Sequence, residues 1–316
     1  MAATDTSKNL RLDNEGLSLK SVSLWQITWR RLFRRKSAIV GMVILGILVF
    51  IALTAQWIAP YNPYQPLIGI ESVGKREAPC IYALGCSQDK PQHIMGTDGN
   101  VRDEFSRLLY GARLSLMIGL TTVTFAIFVG TVLGALSGYF GRWIDNVIMR
   151  VMDVLLAFPS LLLAIAIVTV LGPGLQNALL AIGIVSIPSY ARVVRASVLS
   201  VREMDYVSAT RAMGGNTNQI LFRRILPNAL TPLIVQGTLG IATAILDAAA
   251  LSFLGLGAQP PTPEWGSMLG AERNQVFTAP HLVFYPGLAI MLTVLSFNLL
   301  GDGLRDALDP RLAHVS

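Results

Sequence analysis

"EMDYVSATRAMGGNTNQILFRRILPN", residues 203–228, is polar and rich in arginine, yet strongly hydrophobic segments flank it on both sides. Tyr206, Val207, Ala209 and Met213 recur at spacings of three and four and predict one side of a short helix. Gly214-Gly215 ends that helix, because glycine takes the left-handed conformation that a helix terminus needs. Asn216 then caps a second helix, and Gln219, three residues on, completes a capping box. Ile220, Leu221 and Ile225 form its apolar stripe, and Pro227 marks re-entry into the next hydrophobic segment. An amphipathic hairpin of this kind can pack on its own bundle. A plain connection between adjacent spans needs only a few residues, however. A longer, ordered arm with a rigid turn suits a lever that contacts another protein.

The surrounding composition sets the class. Of 316 residues, 53% are hydrophobic and only 14% charged, with a mean hydropathy of +0.54. That balance excludes an ordinary soluble protein and fits an all-α polytopic membrane protein. The net charge of +6 belongs in this setting to the loops on one side of a membrane rather than to a nucleic-acid surface. The histidines, His93, His281 and His314, are far apart and have no metal-ligand spacing, so no metal site is expected.

A membrane-spanning helix needs about 20 mostly apolar residues. Six candidates meet this: 38–58, 114–136, 154–171, 175–191 (short, and broken by Pro188), 230–254 and 281–300. The third and fourth are joined by the tight turn "GPGLQN", residues 172–177. Arginines cluster ahead of the first span in "WRRLFRRK", residues 29–36. They recur between the fourth and fifth spans (Arg192, Arg195, Arg202, Arg211, Arg223, Arg224) and in the C-terminal tail. With an even number of spans, the positive-inside rule places both termini in the cytoplasm.

The chain then divides into a disordered cytoplasmic tail (1–22), an interfacial helix (23–36), a first transmembrane helix (37–59), an extracytoplasmic loop (60–106) and a five-helix core (107–316) that contains the polar loop 192–228. In the interfacial helix, Trp25, Trp29, Leu32 and Phe33 share a face suited to the headgroup layer. Residues 1–22 carry no apolar run of the secretory type. In the extracytoplasmic loop, Cys80 and Cys86 of "CIYALGC" are placed to form a disulfide.

Charges inside spans are costly and read as functional. Asp247, in "IATAILDAAALSFLG", either lines a translocation path, meeting a substrate amine or a cation, or bonds a neighbouring helix. Arg150 and Asp153 are read as a structural pair on one helix face.

"SATRAMGGNTNQILFRRILP" resembles the EAA loop of ABC-importer permeases: Glu-Ala-Ala, three residues, Gly, nine residues, Ile, any residue, Leu-Pro. Ser208, Ala209 and Thr210 stand at the Glu-Ala-Ala positions. Gly214, Leu226 and Pro227 match, and Arg224 replaces the Ile. Three further stretches resemble the dipeptide, oligopeptide and nickel branch of these permeases: "IMGTDGNVRDEFSRLLYGARLSL" (94–116), "FLGLGAQPPTPEWGSML" (253–269) and "GDGLRDALDPRL" (301–312). Within that branch the chain is similar to the C-type subunit of a dipeptide permease. The resemblance implies a type I ABC-importer permease-like fold of six transmembrane helices in a bacterial inner membrane. It also implies that loop 192–228 holds the coupling helix, which seats in a cytoplasmic ATPase.

No G-x-x-x-x-G-K-[ST] occurs, so the chain has no P-loop of its own. The resemblance accordingly implies a non-catalytic subunit that binds no cofactor, with ATP and Mg carried by two separate P-loop ATPases. A B-type companion permease and an extracytoplasmic binding protein complete the expected set, and no nucleic acid is expected. A nickel or other peptide-like solute is the nearest alternative. An ion-coupled secondary transporter would want a relay of intramembrane acids or paired broken helices. An intramembrane enzyme would want a nucleophile with its base, or a metal motif. The sequence shows neither set.

Overall fold

A computed structural model describes residues 29–308. The expected tail 1–22, residues 23–28 of the interfacial helix and residues 309–316 lie outside the described residues. The architecture is all-α. The major helices are α1 (Lys36–Ile58), α2 (Glu104–Phe140), α3 (Arg142–Leu156), α4 (Ser160–Leu171) and α5 (Leu175–Arg202). They continue as α6 (Asp205–Ala212), α7 (Leu226–Ala229), α8 (Thr231–Phe253), α9 (Trp265–Glu272) and α10 (His281–Leu308). Five of them, α1, α2, α5, α8 and α10, are long and apolar enough to cross a membrane singly.

The third expected span is different. Residues 154–171 do not form one straight helix: α3 and α4 meet at 91°. The cause is Pro159, which has no N–H to donate and pushes Phe158 away from helical geometry. At about 1.5 Å per residue α4 is about 18 Å long, too short for a hydrocarbon core of about 30 Å. A sixth span exists only as the bent pair. Pro188 has the opposite outcome. α5 runs through it without interruption from Leu175 to Arg202, because close packing on a neighbour holds the helix where one hydrogen bond is lost. Residues 192–202, expected in the polar loop, are therefore the last three turns of α5.

α2 is the hub, packing against α1, α3, α5 and α8. Its closest partner is α5, along a seam of glycines absent from the expectations above. Gly130, Gly134 and Gly138 lie one above the next at four-residue intervals. A Cβ on Gly130 would lie 2.7 Å from the Tyr190 Cβ, and one on Gly138 2.9 Å from a Val198 methyl; on Gly134 it would strike the Ala191 carbonyl. The missing side chains let the two backbones touch, which is how helices associate where lipid supplies no hydrophobic drive.

At the end of the seam, Arg202 donates to the Gly138 and Tyr139 carbonyls (3.2 Å each) and so closes the last turn of α2. Arg195 and Ser137 both hold Asp145 of α3, the guanidinium Nη2 at 2.6 Å. Asp153 pairs with Arg192 of α5 at 2.6 Å, not with Arg150 as expected: the neighbouring helix outcompetes the residue one turn away.

Ahead of α1, residues 29–32 are helical and the chain turns at 33–35. Trp29 and Phe33 are exposed and stack on each other, as a headgroup face requires, but Leu32 is buried against Ala38 and Ala307. Leu32 thus ties this segment to the end of α10, helped by an ion pair between Arg35 and Asp306.

Gly134→Val forces the α2 and α5 backbones apart and should lower stability by about 1–3 kcal/mol. Gly46→Ala, whose Cβ meets nothing within 4 Å, should be near neutral. Thermal unfolding of the purified variants in micelles checks both; equal midpoints would remove the seam from the account.

Candidate functional site

The polar hairpin begins where α5 ends. α6 stops in a Schellman arrangement: Gly215 N–H donates to the Thr210 carbonyl and Gly214 N–H to that of Arg211, both at 3.0 Å. Gly214 sits at φ +83° with open space around it, whereas a Cβ on Gly215 would meet the Thr210 carbonyl at 2.8 Å. One glycine is required by conformation and the other by space. Asn216 then accepts from Gln219 N–H at 2.8 Å, the first half of the anticipated capping box.

The second arm is not an α-helix. Gln219–Ile225 is a π-turn in which Leu226 N–H bonds the Leu221 carbonyl five residues back. In α geometry, residues five apart stand about 140° apart around the axis and cannot share a face. The wider turn brings Ile220 and Ile225 inward together with Leu221, and all three are buried.

On α6 the buried residues are Val207 and Thr210. Met213, expected on the packed side, is 78% exposed, because the helix ends one residue earlier and its periodicity goes no further. Tyr206 clamps the two arms: its hydroxyl donates to the Arg224 carbonyl (3.3 Å) and accepts from Asn228 (3.1 Å). Only its apolar character was legible beforehand.

The motif residues therefore gather in one small hairpin. Ser208, Ala209 and Pro227 are exposed, Leu226 is partly buried, and Thr210 bonds the Tyr206 carbonyl at 2.7 Å. The rim carries Met204, Met213 and Phe222 (60% exposed) among exposed Arg211, Arg223 and Arg224. Flexible thioethers and an aromatic ring beyond the end of a membrane helix make an adaptable contact surface.

Asp247 lies elsewhere, near the far end of α8. Packing on α2, α5, α9 and α10 buries Leu233, Gly237, Ala244, Ala248 and Leu251. The opposite arc, Pro232, Gln236, Leu239, Thr243, Asp247 and Ala250, is left partly or fully uncovered. Among the described residues no hydrogen bond or ion pair is made by the Asp247 carboxylate. An aspartate facing hydrocarbon at mid-bilayer costs about 2.5–3.5 kcal/mol on insertion scales, so this arc suits a hydrated path better than lipid.

Residues 60–103 and 254–280 form a cap on the face opposite the hairpin, around the first turns of α2. The Trp265 indole is buried over Gly111 and donates to the Leu108 carbonyl at 3.1 Å. Arg107 donates to the carbonyls of Pro63 (2.9 Å) and Pro261 (3.1 Å). Glu264 caps α9 through Gly266 and Ser267 N–H; burial raises its carboxyl against the pull of those donors. Cys80 and Cys86 form a disulfide, their Cα atoms 5.4 Å apart.

Next to it His93 is buried between two carboxylates, Asp103 at 2.8 Å from Nδ1 and Glu71 at 3.2 Å from Nε2. Asp103 also caps α2 through Ser106 N–H. Burial alone would lower the His93 pKa, but hydrogen bonds and charge from Asp103 and Glu71 raise it above its ordinary 6.5. The Tyr61 phenol beside it is pushed up to about 12 by burial and by Glu71.

The comparisons follow this division. Residues 130–314 match the family described as binding-protein-dependent transport system inner membrane component. Residues 23–77 match the N-terminal TM domain of oligopeptide transport permease C. The chain belongs to the binding-protein-dependent permease family. A dipeptide transport system permease protein of Alkalihalophilus pseudofirmus is 49% identical over 297 residues, covering 92% of this chain and 91% of that protein. A glutathione transport system permease protein of Pectobacterium atrosepticum is 44% identical over 288 residues, 91% of each chain. Among solved structures, an inward-facing form of the MetNI methionine ABC transporter superposes with a TM-score of 0.54 at 20% identity, over 64% of this chain and 97% of that one. That likeness concerns the permease fold alone.

His93 supplies a pH test of the cap. Its folded pKa lies above the unfolded one, so its contribution is complete below about pH 6.5 and fades as pH rises through the folded value. His93→Gln should cost about 1.5–3 kcal/mol at pH 6, the range for charged hydrogen bonds, and progressively less toward pH 9. Unfolding midpoints of the two proteins across that interval check it; a constant gap would mean that His93 is held neutral.

Proposed function

We propose that the chain is the C-type membrane subunit of an ATP-driven importer of dipeptides and other short peptides. The observation that carries this reading is the hairpin. It is a short, doubly pinned arm, continuous with the most deeply packed helix of the bundle, with adaptable apolar side chains on its rim. Such an arm transmits force. ATP and Mg belong to two cytoplasmic P-loop ATPases, which seat the hairpin and rock the helices between inward- and outward-open forms. A B-type permease completes the path, and a binding protein delivers solute to the cap. The chain sits in the bacterial plasma membrane with both termini and the hairpin in the cytoplasm. The arginines that end α5 and line the hairpin support that orientation.

The relatives support the solute class, since dipeptides and glutathione are both short peptides. A permissive path then needs a few polar groups rather than a tight pocket, and the uncovered arc of α8 offers Gln236, Thr243 and Asp247. Asp247 is the group placed to meet a peptide amine.

Gly214→Val strains the turn by about 1–3 kcal/mol. In the reconstituted complex it should lower dipeptide uptake per ATP hydrolysed by about tenfold while leaving membrane insertion intact. Unimpaired coupling would count against the lever. Asp247→Asn should lower dipeptide uptake at equal expression; uptake at the wild-type level would leave Asp247 a packing residue.

A further inference from the structure

The uncovered arc of α8 does not stop at Asp247. Followed toward the hairpin face, it opens into a cavity of about 470 Å³ bounded by the first turns of α8, Val193 of α5 and the last turn of α10. Val193, Val235 and Leu239 make apolar walls, Thr231 and Gln236 supply polar atoms, and Arg305 brings a positive charge. A volume within about 300–1,000 Å³, with apolar walls and a few placed polar groups, is the make-up of a small-ligand site. Gln236 and Leu239 belong to both the cavity and the arc, so the two are continuous.

The dimensions separate this cavity from Asp247. Gln236 and Asp247 are about 16 Å apart along the helix at about 1.5 Å per residue. A dipeptide reaches about 7 Å when fully extended. One solute cannot touch both, so they are successive stations. Their charges are opposite, as are the two ends of a free peptide: the outer station offers a carboxylate and the inner one a guanidinium. Arginine's planar fork fits a carboxylate through two parallel hydrogen bonds.

We propose that this cavity is an inner subsite for the free C-terminal carboxylate of the transported peptide, with Arg305 as its anchor and Val193, Val235 and Leu239 receiving the adjoining side chain. The proposal rests on the peptide-permease reading above. Continuity with the polar arc favours a peptide over an anionic lipid headgroup as the occupant. Peptide accumulating on the cytoplasmic side occupies the subsite and slows the next cycle.

The test uses the complete complex in proteoliposomes, with binding protein and labelled Ala-Ala outside and either unlabelled Ala-Ala or its C-terminal amide inside, at two contents of anionic lipid. Inside Ala-Ala should inhibit uptake, and the amide should need a concentration higher by about ten- to a hundredfold, the factor for a charge-assisted hydrogen bond. Arg305→Gln should raise the half-inhibiting Ala-Ala concentration by a similar factor relative to its own uninhibited rate, and Arg305→Lys should recover part of it. Equal inhibition by peptide and amide overturns the subsite, as does unchanged inhibition in Arg305→Gln. An effect that follows anionic-lipid content rather than inside peptide assigns the cavity to lipid and overturns it too. Wild-type uptake with no inhibition from inside refutes the subsite alone; no Ala-Ala uptake by the wild-type complex refutes the permease reading with it.

Discussion

Backbone contact between α2 and α5 is the constraint on which the other features rest. Three glycines remove the side chains that would hold the helices apart, and dispersion forces between the closely apposed backbones replace the hydrophobic drive that lipid cannot provide. The two helices so joined are also the ones that reach furthest from the bilayer. The first turns of α2 are buried in the cap, and the last turn of α5 leads into the hairpin. Cap and hairpin, on opposite faces, are therefore ends of one stiff pair.

Each end is stiffened by a different chemistry. At the cap the connecting backbone is irregular, and buried charges do the joining: Arg102 and Arg107 both meet Asp98, while Glu272 bridges Arg76 and the Gly99 N–H. Buried ions of this kind hold a fold only as a fully bonded set, since removal of one member leaves another uncompensated. At the hairpin few charges are paired, and shape is set by backbone geometry: a left-handed glycine, a crowded one and a π-turn. The hairpin can therefore expose its arginines and methionines to a partner without losing its own scaffold.

Much of this was legible in the sequence, and the failures have definite causes. The long apolar runs located α1, α8 and α10 because burial in lipid leaves a signal in composition alone. The glycine turn and Asn216 cap were legible because their conformations demand particular residues. Pro188 and Pro159 were misjudged in opposite senses: whether a proline bends a helix depends on what packs around it, which no local pattern records. Met213 was placed on the wrong face for want of the exact helix end. The α2–α5 seam had a signal, a glycine every fourth residue from 130 to 138, that was open to reading. The Trp265–Gly111 contact and the His93 cluster join residues far apart in the chain, and only the folded chain brings them together. Asp247 stood out as a charge in an apolar run, but its companions Gln236 and Thr243 became visible only once the uncovered side of α8 was known.

The π-turn at Gln219–Ile225 has a consequence for how this chain tolerates insertion and deletion. A π-turn accommodates one residue more than an α-turn of similar height. Leu230 joins α7 to α8 with near-helical backbone angles, so register is carried forward from the turn. Loss of one residue there would relax the turn to α geometry and rotate α7 and α8 by about 100°, the angle per residue of an α-helix. Asp247 would swing from the open arc toward the packed side. A deletion of the same size in the exposed stretch 87–90 would be absorbed locally. The length of the hairpin is thus as much a part of the transport path as any side chain that lines it.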